Sequence, residues 1–463
     1  MDPLIAPFLE RAARAPEQTL CVAATRSRTA GEVAERARLD CSRLEELNLQ
    51  PGSICALLAP NGPAFLSSYA ALRMSGMVVL LFDSTTPPDE QERVASRLGA
   101  ALLWRHADAW NDSPDELIPL AGGGQVPAGT AALKLTSGST GEPAGVAVSA
   151  EALLADARSL ETSMGFLPED RFLVAIPMSH SYGFSVLTSP AFLLGATLLL
   201  PDGEDTLVTG RELEATVFPS VPNWYSTISE VASPDEWPAS IRLLISAGAP
   251  LGAETASRFR ERFGLSIHAF YGSSECGGIT YDRVGDAAER GSVGAPVEGV
   301  TIDLLDADEG RGTVSVRSAA VALGYVPERV DSPSCLKPGR FTTEDFAKFD
   351  GDELFLLGRK SEWINVKGKK VNPREVESVL MELAGVREAV VFAQPVPGRV
   401  GEVVRAVIAC APLQHGYREI VEWCRPRLSS HKIPRSVIIV DEIPRNGRGK
   451  VDRAALLTLT PAN

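Results

Sequence analysis

The sequence predicts an α/β fold: a large body of parallel sheets covered on both faces, then a small β unit, then a compact α+β unit of roughly 100 residues. Three observations carry this. A strand–helix–strand rhythm recurs three times in the first 270 residues, the character changes after about residue 290, and it changes again from about residue 360. Near-continuous apolar strands joined through helices are the pattern of parallel sheets buried on both faces.

The first repeat is CALLAPNGPAFLSSYAALRMSGMVVLLF (55–82): an apolar strand, a Pro/Gly turn, a helix, Gly76 as its stop and a second strand. RFLVAIPMSHSYGFSVLTSPAFLLGATLLL (171–200) follows the same plan with Gly195 in that role, and RLLISAGAPLGAETASRFRERFGLSIHAFYG (242–272) does so with Gly264. Ligands of such sheets bind beyond the carboxyl ends of the strands. That makes MSHSYG, SAGAPL and YGSSE the candidate site loops. VTIDLLDADEGRGTVSVRS (300–318) reads as a hairpin around a Gly-rich turn. WINVKGKKVNPREVE opens a basic stretch in which Asn372-Pro373-Arg374-Glu375 spells a helix start, with Asn as cap, Pro at the first position and Glu placed to close a capping box. Strands REAVVFA and VVRAVIA, a helix YREIVEWCRPRL and a last strand RSVIIVD complete the unit. Without a low-complexity linker, any hinge must be short.

The composition of this 463-residue chain, 44% hydrophobic and 22% charged, is that of a globular protein with ample core. A net charge of −14 argues against a general nucleic-acid or anionic-membrane binder. Seven cysteines, none in a Cys-x-x-Cys pair, fit buried thiols in a reducing cytoplasm better than a disulfide framework or a zinc site. The N-terminus lacks the apolar core of a signal peptide. The most apolar stretch (184–200), broken by Pro190 and Gly195, is too short to span a bilayer. A cytoplasmic location is expected.

The most chemical stretch is KLTSGSTGEPAGVAV (134–148). It is not a Walker A motif, since no Gly-Lys-Ser/Thr occurs, and it lies between two strands, AALKL and GVAVS. Backbone N–H groups with the hydroxyls of Thr136, Ser137, Ser139 and Thr140 form the kind of concavity that binds phosphate oxygens. No lysine or arginine lies inside it.

Taken in order, TSGSTGEPAGV, IPMSHSYG, YGSSE, TTED followed by GRKSEWINVKGKKVNPREVE, and PRNGRGKVDR resemble the core motifs of the adenylate-forming superfamily: acyl-CoA synthetases, adenylation domains of peptide synthetases, and luciferases. The resemblance runs from about residue 10 to the C-terminus. It implies a large N-terminal domain (1–358) of two αβ subdomains and a β-barrel-like piece, then a small mobile α+β domain (359–463) hinged near Ser361.

The resemblance also implies roles. Thr136, Ser137, Gly138, Ser139, Thr140 and Gly141 would wrap the β- and γ-phosphates of ATP. Gly248, Ala249 and Pro250, with Tyr271 and Gly272, would line the adenine slot. Ser274, where the family usually has Thr, would meet the α-phosphate, and Glu275 would hold Mg²⁺ through a carboxylate oxygen. His180 is a candidate catalytic residue. Asp345 and Arg359 would grip the ribose. Lys450 would supply the cation for adenylation, and Gly368 would line the pantetheine tunnel in the second half-reaction. One departure stands out: a lysine usually occupies the place of Ala144, with Lys134 and Arg211 as candidate substitutes.

The implied activity is ATP-dependent activation of a carboxylic acid through an acyl-adenylate, followed by transfer to a thiol. SHSYGFS carries no aspartate to pair with an α-ammonium, so a fatty or aromatic acid is expected, with Tyr182, Gly183, Trp224, Gly248 and Phe270 as candidates for its pocket. CoA is the expected acceptor. A carrier-protein phosphopantetheine remains the alternative, with Lys367, Lys369 and Lys370 suited to either. A non-catalytic nucleotide- or acyl-binding homologue is the reading from another class.

Overall fold

The computed structural model describes residues 2–136, 143–201, 203, 205–328, 335–366, 369–395, 402–410, 416–445 and 451–459. The chain divides into two compact units, one of residues 1–303, 315–342 and 350–354, the other of residues 304–314, 343–349 and 355–463. The second unit thus takes in two segments of the small β unit besides the continuous stretch from residue 355. With no linker in the sequence, the division falls inside long strands (Thr301–Asp308, Arg311–Arg317, Arg340–Asp350, Glu353–Arg359).

Two sheets dominate the first unit. In one, Ile54–Leu58 lies between Val78–Leu81 and Leu102–Arg105, all parallel. Thr130–Thr136 continues it in parallel, and Ala144–Ser149 returns antiparallel beside it. In the other, Leu243–Ser246 lies between Val217–Ser220 and Ile267–Ser273, again parallel. Arg171–Leu173 and Thr197–Leu199 extend this sheet in parallel toward Thr19–Val22. All three strand–helix–strand repeats are thus parallel units. Their stop residues Gly76, Gly195 and Gly264 have φ of +73°, +74° and +71°, a left-handed turn that ends a helix and that a side chain resists.

One buried cluster joins both sheets, with Leu57, Val79 and Val146 from the first and Phe172, Leu198 and Val217 from the second. The helix Pro63–Met74 is buried along nearly its whole length because both of its sides face apolar layers. Ala30–Glu46 begins at a capping box, in which the Glu32 N–H donates to Thr29 Oγ1 and the Thr29 N–H to Glu32 Oε2.

In the second unit, Val386–Pro395 and Glu402–Cys410 pair antiparallel, and Ser436–Val440 joins in parallel. The helix Pro373–Met381 covers them, burying Val376 and Leu380. Asn372 caps it through the Arg374 N–H, but the expected capping box does not close: the Glu375 carboxylate is drawn away by Lys432. The helix Tyr417–Cys424 stops short of the span read from sequence, since Pro426 lacks the N–H to continue it. All seven cysteines are free thiols. Among the described residues no helix is long and apolar enough to cross a membrane.

Candidate functional site

The candidate loops of the first unit leave the carboxyl ends of its strands, where parallel strands open a crevice. Asn61 and Asp83 follow Ile54–Leu58 and Val78–Leu81 of one sheet; IPMSHSYG follows Arg171–Leu173 of the other. Asn61 clamps that loop at two points, donating to the Ile176 carbonyl at 3.0 Å and accepting from the Met178 N–H at 2.8 Å. His180 then meets Asp83, Nε2 to Oδ2 at 2.7 Å. With the carboxylate as acceptor, Nε2 carries the proton. The His180 hydrogen bond, helped by Thr85 and working against burial, holds the Asp83 carboxyl well below the usual carboxylate range. Neither Asn61 nor Asp83 was singled out from sequence. Both look like ordinary turn residues, and each partner lies about a hundred positions away.

After His180 the chain makes a short helical turn, Ser181–Gly183, and a π-helical turn, Phe184–Thr188. π-Turns recur at functional sites. Gly183 is obligatory, since a Cβ there would stand 2.0 Å from the Pro177 carbonyl oxygen. It therefore shapes the loop and leaves no free space of its own. Tyr182 donates to the Ile245 carbonyl at 2.9 Å, and its ring lies 5.8 Å from that of Phe270. Trp224 instead packs edge-on against Phe218 at 4.5 Å, in a different cluster.

YGSSE sits at the tip of a hairpin formed by Ile267–Ser273 and Gly277–Tyr281. Its Ser274 hydroxyl lies 2.6 Å from that of Ser181, so the second and third motifs touch. Glu275 Oε1 accepts from the Tyr325 hydroxyl at 3.0 Å. Tyr325, unforeseen from sequence, comes from Gly324–Val326, which pairs with Ala144–Ser149 beside the phosphate-loop candidate. Among the described residues no cluster of three or more His, Cys, Asp or Glu could hold a metal alone. A single half-buried carboxylate, oriented by a tyrosine, matches the way Mg²⁺ is held with substrate phosphates and water. On that chemistry Glu275 fits.

Residues 137–142, the centre of the Thr/Ser/Gly loop (Ser137, Gly138, Ser139, Thr140, Gly141), lie outside the described residues. At its base Thr136 Oγ1 donates to the Ala144 carbonyl at 3.4 Å. Lys134, two residues earlier, is 3% exposed. Burial pushes its ammonium below the ordinary range, while nearby charges, Asp156 foremost, push back. Gly248, Ala249 and Pro250 are exposed just past Leu243–Ser246, Tyr271 is half-buried and Gly272 is exposed.

In the second unit Arg359 Nε donates to Asp345 Oδ1 at 3.0 Å, which brings together the two residues expected at the ribose. Ser361 lies in a 3-10 turn, Lys360–Glu362. Lys367, Gly368 and Lys450 lie outside the described residues.

Comparison with known proteins places this geometry in context. The family model "AMP-binding enzyme" matches residues 8–126 and 105–326, and "AMP-binding enzyme C-terminal domain" matches 375–450. The chain is 29% identical to a feruloyl-CoA synthase of Amycolatopsis sp, covering 96% of each, and 27% identical to a 2-succinylbenzoate–CoA ligase of Bacillus pumilus, covering 97% of this chain and 96% of that one. Its fold matches o-succinylbenzoate CoA synthetase from Bacillus subtilis, solved with its acyl-adenylate intermediate, with a TM-score of 0.82 at 24% identity over 99% of each chain. It matches ATP-bound MatB from Rhodopseudomonas palustris with a TM-score of 0.83 at 23% identity, over 97% of this chain and 98% of that one.

Proposed function

The chain belongs to the AMP-binding enzyme family, and on that premise we propose that it is an acid–thiol ligase, joining a carboxylic acid to AMP at the expense of ATP and then passing the acyl group to CoA. The observation that carries this reading is the meeting of two distant motifs beside the phosphate-loop candidate: Ser181 on Ser274 at 2.6 Å, next to a Glu275 held by Tyr325.

In the first half-reaction a substrate carboxylate attacks the α-phosphorus in line and pyrophosphate leaves. Charge grows on the phosphoryl oxygens and the leaving group, so positioning and electrostatics carry the catalysis. The Ser274 hydroxyl donates to an α-phosphate oxygen, and Glu275 is the ligand that would hold Mg²⁺. A bound Mg²⁺ would supply charge neutralisation on the phosphates. Asp345 and Arg359 serve the ribose hydroxyls. Lys450, on the mobile C-terminal domain (359–463, hinged near Ser361), serves adenylation. Gly368 lines the path of the thiol in the second half, after the domain has pivoted.

The acid carries no α-ammonium. The SHSYG loop carries no acid of its own to pair with an ammonium, and Asp83, the carboxylate that the fold brings to it, is oriented toward His180 and Thr85. A fatty or aromatic acid, seated near Tyr182 and Phe270, fits instead. CoA is preferred over a carrier protein because the relatives that match nearly the whole chain are named as CoA synthases and ligases.

The test is ATP–pyrophosphate exchange across a panel of aromatic, fatty and α-amino acids, followed by thioester assay with CoA and with a phosphopantetheinylated carrier. Exchange with an aromatic or fatty acid and thioester on CoA are expected. Nucleotide binding without exchange for any acid would favour the non-catalytic alternative.

A further inference from the structure

Asp156 sits in the middle of the helix Ala150–Met164, on its buried face and 4% exposed. A carboxylate in such a place is costly unless donors and a cation answer it. Both oxygens are taken. Ser185 Oγ donates to Oδ2 at 2.5 Å, and the Gly278 N–H donates to Oδ1 at 2.8 Å. The cation is Lys134, buried in the strand Thr130–Thr136. Burial pushes its ammonium down, and the groups that push back are Asp156 first, then Cys276 and Glu275. With the Phe184 ring 5.7 Å away, those neighbours place Lys134 in the core. Arg211, the other candidate substitute for a lysine at position 144, is exposed on the helix Thr206–Glu212.

The two donors belong to the two motifs that meet at the candidate site. Ser185 lies four residues after Ser181, on the π-helical turn that follows SHSYG. Gly278 lies four residues after Ser274, on the strand that follows YGSSE. At one level Ser181 touches Ser274 at 2.6 Å; four residues on, Ser185 and Gly278 share one carboxylate. The approach is tight. Gly277, which pairs with Ser273 to close the hairpin tip, has a φ of +69°, and a Cβ there would stand 2.2 Å from Asp156 Oδ1. Only glycine lets the hairpin come down onto the carboxylate.

We propose that Asp156 is a positioning residue for adenylation: it fastens the SHSYG turn and the YGSSE hairpin to one helix, with Lys134 as counter-ion, and so fixes where the Ser274 hydroxyl and Glu275 stand. The inference rests on the reading of those two residues as groups that meet ATP and its metal. A buried acceptor shared by both segments removes their freedom to shift past one another. A misplacement of about 1 Å at a reacting centre costs on the order of a hundredfold in rate.

The test is pyrophosphate exchange at saturating Mg²⁺, read as kcat and as KM for ATP, together with melting temperature. The variants are Asp156→Ala, Ser185→Ala, and two charge-balanced pairs in which Lys134→Met is combined with Asp156→Ala or with Asp156→Asn. Asp156→Ala leaves Lys134 buried without its counter-ion and should lower the melting temperature sharply. Adding Lys134→Met should return most of that stability. In this pair kcat should nonetheless stay down on the order of a hundredfold, with KM for ATP little changed. Asparagine in the same background keeps an acceptor for the Gly278 N–H and should bring kcat back to within about tenfold of wild type. Ser185→Ala removes a single hydroxyl and should lower kcat about tenfold at an unchanged KM for ATP; it decides the matter if Asp156→Ala does not fold. Wild-type kcat in Ser185→Ala overturns the proposal. So does a rate that recovers in step with melting temperature in the alanine pair, which makes Asp156 a structural contact, and so does an asparagine pair as slow as the alanine one. Failure of Lys134→Met to recover stability overturns its part as counter-ion. A wild type that exchanges pyrophosphate with no acid brings down the functional reading itself, a result distinct from these.

Discussion

Replacing Tyr325 by Phe removes one hydroxyl and leaves the ring. That hydroxyl donates to Glu275 Oε1 at 3.0 Å, the half-buried carboxylate proposed to hold Mg²⁺. A hydrogen bond to a charged group is worth roughly 1.5–3 kcal/mol, and solvent reaching a half-buried carboxylate sets the lower end, about 1.5 kcal/mol or close to tenfold. Groups that orient a metal-binding side chain change metal affinity by about 10–100-fold when removed. Both routes give a Mg²⁺ concentration for half-maximal pyrophosphate exchange raised about tenfold in Tyr325→Phe, with the rate largely regained at saturating Mg²⁺. Glu275→Gln, which removes the charge, should raise the requirement further and slow adenylation even at high Mg²⁺. The assay is exchange rate against Mg²⁺ at saturating acid and ATP. A lower melting temperature with an unchanged Mg²⁺ requirement refutes the argument and makes the hydroxyl a packing contact.

Three further outcomes are expected. Lys450→Ala should slow acyl-adenylate formation by roughly two to three powers of ten while thioester formation from supplied acyl-adenylate stays near normal, and Gly368→Leu should do the reverse; equal losses in both halves would argue against domain alternation. Asp83→Asn should lower kcat/KM for the acid about tenfold with little change for ATP, because it loosens His180 and not the phosphate loop; a matching loss for ATP would contradict that assignment. Asp115 is raised by burial but lowered more by hydrogen bonds from Arg43 and Trp104, to about 2, so its contribution to stability is complete above the ordinary aspartate range and lost as pH falls toward about 2. In urea unfolding the gap between wild type and Asp115→Asn should be constant near neutrality and narrow below pH ~4; a gap that widens there has the wrong sign.

The parallel repeats were legible because each strand is a continuous apolar run and each helix stop a glycine, signals that lie within about thirty residues of one another. Ser274 and Glu275 stand out as candidates because the short motif YGSSE travels as a unit, and the fold sets Ser274 against Ser181 of another such motif. Asn61, Asp83 and Tyr325 do not, because each acts on a partner fifty or more positions away and its own neighbourhood reads as a plain turn or strand. Lys134 stands between these cases: the sequence shows a charge inside an apolar strand, and only the fold shows that Asp156 answers it. The capping box at Glu375 was misread for a related reason, since Lys432 competes for that carboxylate from 57 residues away.

The clamp of Asn61 on the Ile176–Met178 backbone also bears on how the molecule comes into being. Its two sides are 115 and 117 positions apart and belong to different sheets. A nascent chain that has completed its first parallel strands holds the clamp with nothing to grip, because the loop has yet to be made. Closing contacts over such sequence separations is slow compared with forming local helices and turns. Secondary structure and much of the apolar burial should be in place before His180 finds Asp83. In refolding from denaturant, acid-dependent pyrophosphate exchange should return after the far-ultraviolet signal, as the last step in the maturation of the large unit.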